Sequence, residues 1–397
     1  MKEMKFKLLL GLAGCMLAFG MAQSKPYPNV RVDFYSAVLE LPYLFCSELD
    51  LPQEMSREVI VDAYEHFQNC SYDAILKRLQ SYRSEYALAD WHYFEVVALA
   101  SEAMYKDKRF QALFQWFVLR KSGLDVQLFY QGSSAYLHAR CTDAEFGFYT
   151  LNHHGISYIN LTARRESIDL ANSSAYVPDL MLDGTPGRAF SLQINSLPRL
   201  PGSELIERTL EFSHHSQRHQ LTVQLNKDHL DMMDDYPYYN QQQYFQMELS
   251  QEAQSSLLPQ LEAIVEGLTP IEKVSLLLSF VRTSFFYKDD RRRFGREKPM
   301  TPEQTLYHSY SDCEDRSALF FYLVRHLVGL PAIVLDFEEH VGIAVELEGV
   351  KGNYFMHKGK RFVYCEATGP DDKLAIGEMW DYVKQMKARV MTDFIPN

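Results

Sequence analysis

The chain has 397 residues, 47% of them apolar and 23% charged, a globular composition that excludes long disorder. Its length exceeds one ordinary domain and implies two or three. The net charge of −12, with no extended basic stripe, argues against a nucleic-acid-binding surface.

Residues 1–22 read as an export signal. MKEMKFK supplies three lysines, LLLGLAGCMLAFGMA is an apolar run, and cleavage is expected after Ala22. Losing Lys2, Lys5, Lys7 and Glu3 would take the net charge from −12 to −14. The alternative is lipid attachment at Cys15, because LAGC resembles a bacterial lipoprotein box, although the chain stays apolar beyond it. The apolar run is short for a membrane span and no later segment is long enough. The expectation is an exported protein, periplasmic or secreted, with no transmembrane span after signal removal.

Helices come next. SREVIVDAYEHF and SYDAILKRLQSY each begin with a serine placed to cap a helix, WHYFEVVALASEAMY follows, and RFQALFQWFVLRKSG ends at Gly123. Then LDVQLFYQ, SAYLHARC, EFGFYTLN and GISYINLT read as strands. Over 165–250, RAFSLQINSL, ELIERTLEFSHHS and RHQLTVQLN alternate at period two between turn residues, which predicts a β-rich middle domain. The polar, Tyr- and Gln-rich DMMDDYPYYNQQQYFQMELS runs on from it. Helical spacing returns in LLPQLEAIVEGL and TPIEKVSLLLSFVRTSFFY, the second with Thr269 as N-cap and Pro270 at the first helical position. Strands PAIVLDF, HVGIAVELE, NYFMH and KRFVYCEAT close the chain.

That order echoes the N-terminal part. At an offset of 206, residues 111–124 match 317–330 at six of fourteen positions, Ala112/Ala318 and Gly123/Gly329 among them. Unrelated segments would give about one match, so an internal repeat is predicted. The same ungapped offset pairs Tyr158 with Tyr364 and Thr162 with Thr368.

The chemistry centres on SDCEDRSALF at 311–320. Cysteine-based acyl transfer needs a thiol placed to become thiolate, an imidazole in reach, and a polar group that orients the imidazole. Cys313 precedes an apolar helix, where exposed backbone N–H groups and the helix dipole favour an anion, although Glu314 and Asp315 oppose it. His340 opens a strand, and Glu366 follows on the next long strand. At offset 206 these three positions hold Asp107, Ser134 and Asn160, so the first copy lacks the triad. Six cysteines are present. Five remain after signal cleavage, so at least one of Cys46, Cys70, Cys141, Cys313 and Cys365 cannot pair within the chain; Cys46 and Cys70 are a plausible disulfide.

Region 270–380 resembles the transglutaminase-like superfamily, with its papain-like Cys–His–Asp arrangement, and is most similar to an exported bacterial group with a DCEDRS cysteine helix. The matching residues are SDCEDRSALF, HVGIAV at 340–345 and YCEATG at 364–369. The resemblance implies Cys313 as nucleophile, His340 as general base and acid, and Glu366 as orienting carboxylate. The sequence departs from the pattern at Glu366-Ala367, where Asp-Pro is expected. The whole chain is thus expected to be α+β: a triad-less transglutaminase-like domain at 23–164, the β-rich middle domain at 165–250, and a transglutaminase-like domain at 251–397. The expected activity is that of a cysteine peptidase or amidase on a protein or peptide substrate, hydrolysis favoured over amine transfer, with no cofactor and no metal. The alternative is a non-catalytic binding or assembly protein on the same scaffold. The His153–His154 and His214–His215 pairs are expected on opposite strand faces, unable to share an ion. DGTPG at 183–187 reads as a turn, and DDRRRFGREK at 289–298 as a solvated loop.

Overall fold

A computed structural model describes residues 29–43, 49–143, 147–162, 187–194, 197–290, 295, 298–369 and 374–396. The expected signal peptide, Cys15, Cys46, most of DGTPG and most of the basic loop lie outside the described residues. The architecture is mixed α+β, with ten α-helices and several antiparallel sheets among the described residues.

The N-terminal half opens on a hairpin, β1 (Val30–Phe34) and β2 (Ala37–Leu41), which the sequence reading did not anticipate. Four helices follow: α1 (Arg57–Gln68), α2 (Asp73–Glu85), α3 (Asp90–Met104) and α4 (Lys108–Lys121). Ser56 caps α1 by accepting from the Val59 N–H. The cap expected from Ser71 is not formed, since α2 starts at Asp73 with Tyr72 in the cap position and no side-chain bond. Helix α3 is buried on most sides, through Trp91, Tyr93, Phe94, Val96 and Val97, and so forms the centre of this half. Strands β3 (Val126–Gln131), β4 (Ser134–Arg140), β5 (Thr150–His153) and β6 (Ile156–Asn160) pair in the order β3-β4-β6-β5.

The middle region differs from its expectation. Its one hairpin among the described residues is β7 (Leu205–His214) with β8 (Gln217–Asn226), and the described residues 188–194 form no strand. The hairpin has no core of its own. Leu210, Phe212, Leu221, Val223 and Leu225 join the C-terminal core, whereas Phe190, Leu192 and Ile194 join the N-terminal one. A period-two pattern marks one buried face without saying what covers it; here helices do. DMMDDYPYYNQQQYFQMELS turns helical, in α5 (Lys227–Asp235), capped by Asn226, and α6 (Gln242–Gln246).

The C-terminal half contains α7 (Gln251–Val265), α8 (Pro270–Thr283), the short parallel pair β9 (Phe286–Tyr287) and β10 (Tyr310–Ser311), α9 (Pro302–Tyr307) and α10 (Cys313–Leu323). Thr269 and Glu272 close a reciprocal cap on α8 with Pro270 at its start, as the sequence indicates; Thr301 and Gln304 do the same for α9. Strands β11 (Ala332–Phe337), β12 (His340–Val345), β13 (Tyr354–His357), β14 (Lys360–Cys365) and β15 (Arg389–Phe394) form one sheet, ordered β13-β14-β12-β11-β15. One face packs on α10, and Ile333, Leu335, Phe362 and Tyr364 on the other face pack with Met379 and Val383.

The two sheets share an order: β3-β4-β6-β5 corresponds to β11-β12-β14-β13. Val126↔Ala139 through Gln131↔Ser134 becomes Ala332↔Val345 through Phe337↔His340, a constant difference of 206. The second hairpin breaks the ungapped register. Thr150↔Ile159 corresponds to Tyr354↔Val363, a difference of 204. Asn160 therefore stands where Tyr364 does, both pairing with the equivalent residue of the neighbouring strand (His138 and Ala344). This corrects the expected pairing of Asn160 with Glu366: the equivalent of Glu366 is Thr162. The first copy still holds Asp107, Ser134 and Thr162 where the second holds Cys313, His340 and Glu366.

Candidate active site

Cys313 is the first residue of α10, a position whose backbone N–H has no partner inside the helix. One turn on, the Ser317 hydroxyl donates to the Val341 carbonyl at 3.1 Å and ties the helix to the start of β12. The Val341 backbone N–H also favours the Cys313 thiolate. The helix start and the strand start that carry Cys313 and His340 are thus stitched together by one residue, Val341.

His340 is buried and opens β12 opposite Phe337. Its Nε2 lies 3.1 Å from Glu366 Oε2 and 3.2 Å from the Tyr364 hydroxyl. Glu366 follows β14 directly and is fully buried. A buried carboxylate needs its lone pairs filled. The Tyr364 hydroxyl donates to Oε2 at 2.7 Å, and the Thr368 N–H donates to Oε1 at 2.9 Å. Burial pushes the Glu366 carboxyl up, but the His340 ring, Tyr364 and the Thr368 N–H outweigh it and hold it below the usual range. An ionised Glu366 accepts from Nε2–H, which leaves Nδ1 as the basic nitrogen. Glutamate in place of the expected aspartate therefore still holds the imidazole.

Further residues complete the frame, and the sequence reading had not singled them out. Arg282 on α8 donates from Nε at 2.9 Å and from a terminal nitrogen at 2.5 Å to the Glu366 carbonyl, which fixes the backbone that presents the carboxylate. Arg316, fully buried, donates to Ser311 Oγ at 2.9 Å and to the Phe285 carbonyl at 2.7 Å; burial lowers it to about 10. Tyr382 is exposed, with its ring 6.4 Å from the His340 ring.

Gly342 explains how Tyr364 fits. A Cβ at Gly342 would stand 2.6 Å from the Tyr364 hydroxyl oxygen, and that ring is fully buried with nowhere to go. Gly342→Ala is expected to displace the tyrosine from both His340 and Glu366. Chemical denaturation should register a loss of about 1–3 kcal/mol, the usual cost of overpacking a buried site.

The thiol itself is restrained. Cys313 Sγ donates to Glu314 Oε2 at 3.0 Å. Burial first, then Glu314 and Asp312, push the thiol well above its ordinary range, so the acidic neighbours outweigh what the helix N-terminus offers. Glu314→Gln removes the nearest carboxylate. It is expected to raise the iodoacetamide labelling rate of Cys313 at pH 8 by about tenfold, read by mass spectrometry, since each unit of thiol pKa is about tenfold in thiolate.

Beneath the thiol, acceptor atoms of the buried Asp290, Asp312 and Asp315 lie within 4.8 Å of one another, as do ligand atoms of Asp312, Cys313 and Glu314. Among the described residues these two groups are the ones with metal-ligand spacing. Asp315 accepts from the Met300 and Asp312 N–H groups at 2.9 and 3.1 Å.

No protein-family model, curated protein or solved structure matches the chain.

The remaining sequence candidates are dispersed. Cys141 and Cys365 are buried, Cys313 is half-buried, and none of the three forms a disulfide. Cys70 is disulfide-bonded. His326 pairs with Glu248 at 2.9 Å. The two histidine pairs are not placed as expected. His154 and His215 sit in hairpin turns with φ of 50° and 45°, which turns each ring toward its neighbour, with centroids 4.1 and 4.0 Å apart.

Proposed function

We propose that the protein is a cysteine enzyme of the transglutaminase-like kind, cleaving amide bonds of a protein or peptide through a thioester on Cys313. The observation that carries this reading is the His340 Nε2–Glu366 contact at 3.1 Å within a fully satisfied carboxylate, which leaves Nδ1 as the nitrogen that can act as base. Nδ1 takes the thiol proton as sulfur attacks the amide carbonyl carbon. The C–N bond then breaks, and the imidazolium returns that proton to the departing amine. Water, deprotonated by the same nitrogen, attacks the thioester, releases the carboxylic acid and restores the thiol. The Cys313 N–H, unpartnered at the helix start, is the oxyanion donor. An amine in place of water would give transfer instead; hydrolysis is the favoured course.

An exported location and the absence of nucleic-acid partners remain part of this proposal. Among the described residues no helix is long and apolar enough to cross a membrane.

A second reading, a non-catalytic binding or assembly protein, draws on one observation: Cys313 faces carboxylates that keep it protonated. The two separate on the intermediate. Peptide esters and amides mixed with the protein and quenched in acid should leave an acyl adduct on Cys313, detected by mass spectrometry. No adduct with any ester or amide across pH 6–10 would establish the binding reading.

A further inference from the structure

The triad-less half has a cavity of its own. It measures about 460 Å³, within the range of small-ligand sites, and opens between the end of α2, the start of α3 and the segment around Arg188. Its charged lining is Arg83, Arg188 and Asp90. Asp90 is buried, and it accepts from Arg83, from both terminal nitrogens of Arg188 at 2.6 Å, and from the Ser191 N–H at 2.9 Å. One carboxylate thus anchors two guanidinium groups, leaving the cluster with one net positive charge.

The arginines have donors to spare. A guanidinium carries five N–H groups. Arg83 commits one of them to Asp90, and Arg188 commits three, two to Asp90 and one to the Ala189 carbonyl. Ser84 and Gln193 line the same cavity with polar side chains, and Ala87, Leu88 and Ala89 supply small apolar surface. A site with surplus planar donors, one net positive charge and an apolar wall fits a singly charged oxyanion on a small aliphatic body.

We propose that this cavity binds the C-terminal carboxylate of a short peptide ending in a small apolar residue. The carboxylate bridges Arg83 and Arg188, and the terminal side chain lies against Ala87 and Leu88. The planar guanidinium forks match a carboxylate in two parallel bonds, and free peptide C-termini are elsewhere captured by convergent backbone N–H donors. The site stands independently of any reaction at Cys313.

Calorimetric titration of the full chain tests it. N-acetyl-Ala-Ala with a free carboxylate is expected to bind with a Kd of about 1 mM or tighter, and the C-terminal amide at least tenfold more weakly. Arg83→Gln should weaken the free acid about tenfold without changing the Cys313 labelling rate. Arg188→Lys keeps the charge holding Asp90, so it guards against a folding defect, yet it should still weaken binding severalfold because the fork is lost. Equal binding of acid and amide, or no binding of either, overturns the proposal. So does inorganic phosphate binding as tightly as the acid peptide, since that would mark a general anion hole.

Discussion

Cys313→Ala is expected to abolish amide cleavage, with kcat falling about 10⁶-fold, the scale of losing the nucleophile of a triad. His340→Ala should match it, because base and nucleophile act as one unit. Glu366→Gln should be milder by about two orders of magnitude, since an orienting group is partly replaceable. The glutamine amide cannot accept from Tyr364, His340 and the Thr368 N–H as the carboxylate does, so the imidazole loses its fixed tautomer. The ordering of the three variants decides more than any one of them. A binding protein would show equal, negligible turnover in all three, and a contaminating hydrolase would leave all three unchanged. The fold should survive Cys313→Ala, because the thiol is half-buried and its one side-chain hydrogen bond goes to neighbouring Glu314.

The candidate site was legible in the sequence to the extent that it follows element order. Cys313 at a helix start, His340 at a strand start and Glu366 just past a strand are positions that local pattern fixes, and the caps at Ser56 and Thr269 are readable for the same reason. What escaped depends on register and on partners distant in sequence. Tyr364 meets His340 across the sheet only because Gly342 has no side chain, and nothing in YCEATG announces that. Arg282 reaches Glu366 across 84 positions of sequence. The two-residue shift between the repeats enters between the first hairpin and the second, where an ungapped comparison hides it. In the described part of 165–250, strand alternation reports a half-buried face and not the element that buries it, which here is helical. The helices at 227–246 carry too many Tyr, Gln and Asp residues for a clean helical stripe, and tertiary packing of Met232, Met233 and Tyr236 decides them instead.

The acidic cluster under Cys313 leads to the second expected result: Asp312→Asn should stabilise the protein at pH 8 by about 1–3 kcal/mol, within the ordinary range for relieving a poorly accommodated buried group. Asp312 is buried, and its Oδ1 has no hydrogen-bond partner. Burial first, then the facing carboxyls of Asp315, Glu314 and Asp290, push Asp312 far above the ordinary carboxylate range; Asp315 is raised as well, by burial and then by Glu314 and Asp290. A raised carboxyl holds a proton in the folded chain that the unfolded chain has released. Its stabilising contribution is therefore complete below the unfolded value of 3.8 and declines as pH rises through neutrality. The slope is about 1.4 kcal/mol per pH unit for each such proton. Glu366 has the opposite sign: its lowered carboxyl contributes above about 4.5 and is lost in acid. Above pH 5 the raised Asp312 therefore pulls stability down as pH rises, and urea midpoints should fall in that direction. Asparagine keeps the shape of Asp312, needs no proton to be buried, and offers an N–H₂ to the carboxylates around it, so the slope should flatten by about one proton. An unchanged slope in Asp312→Asn would mean that Asp312 is ionised in the folded protein and that its charge is balanced within the site.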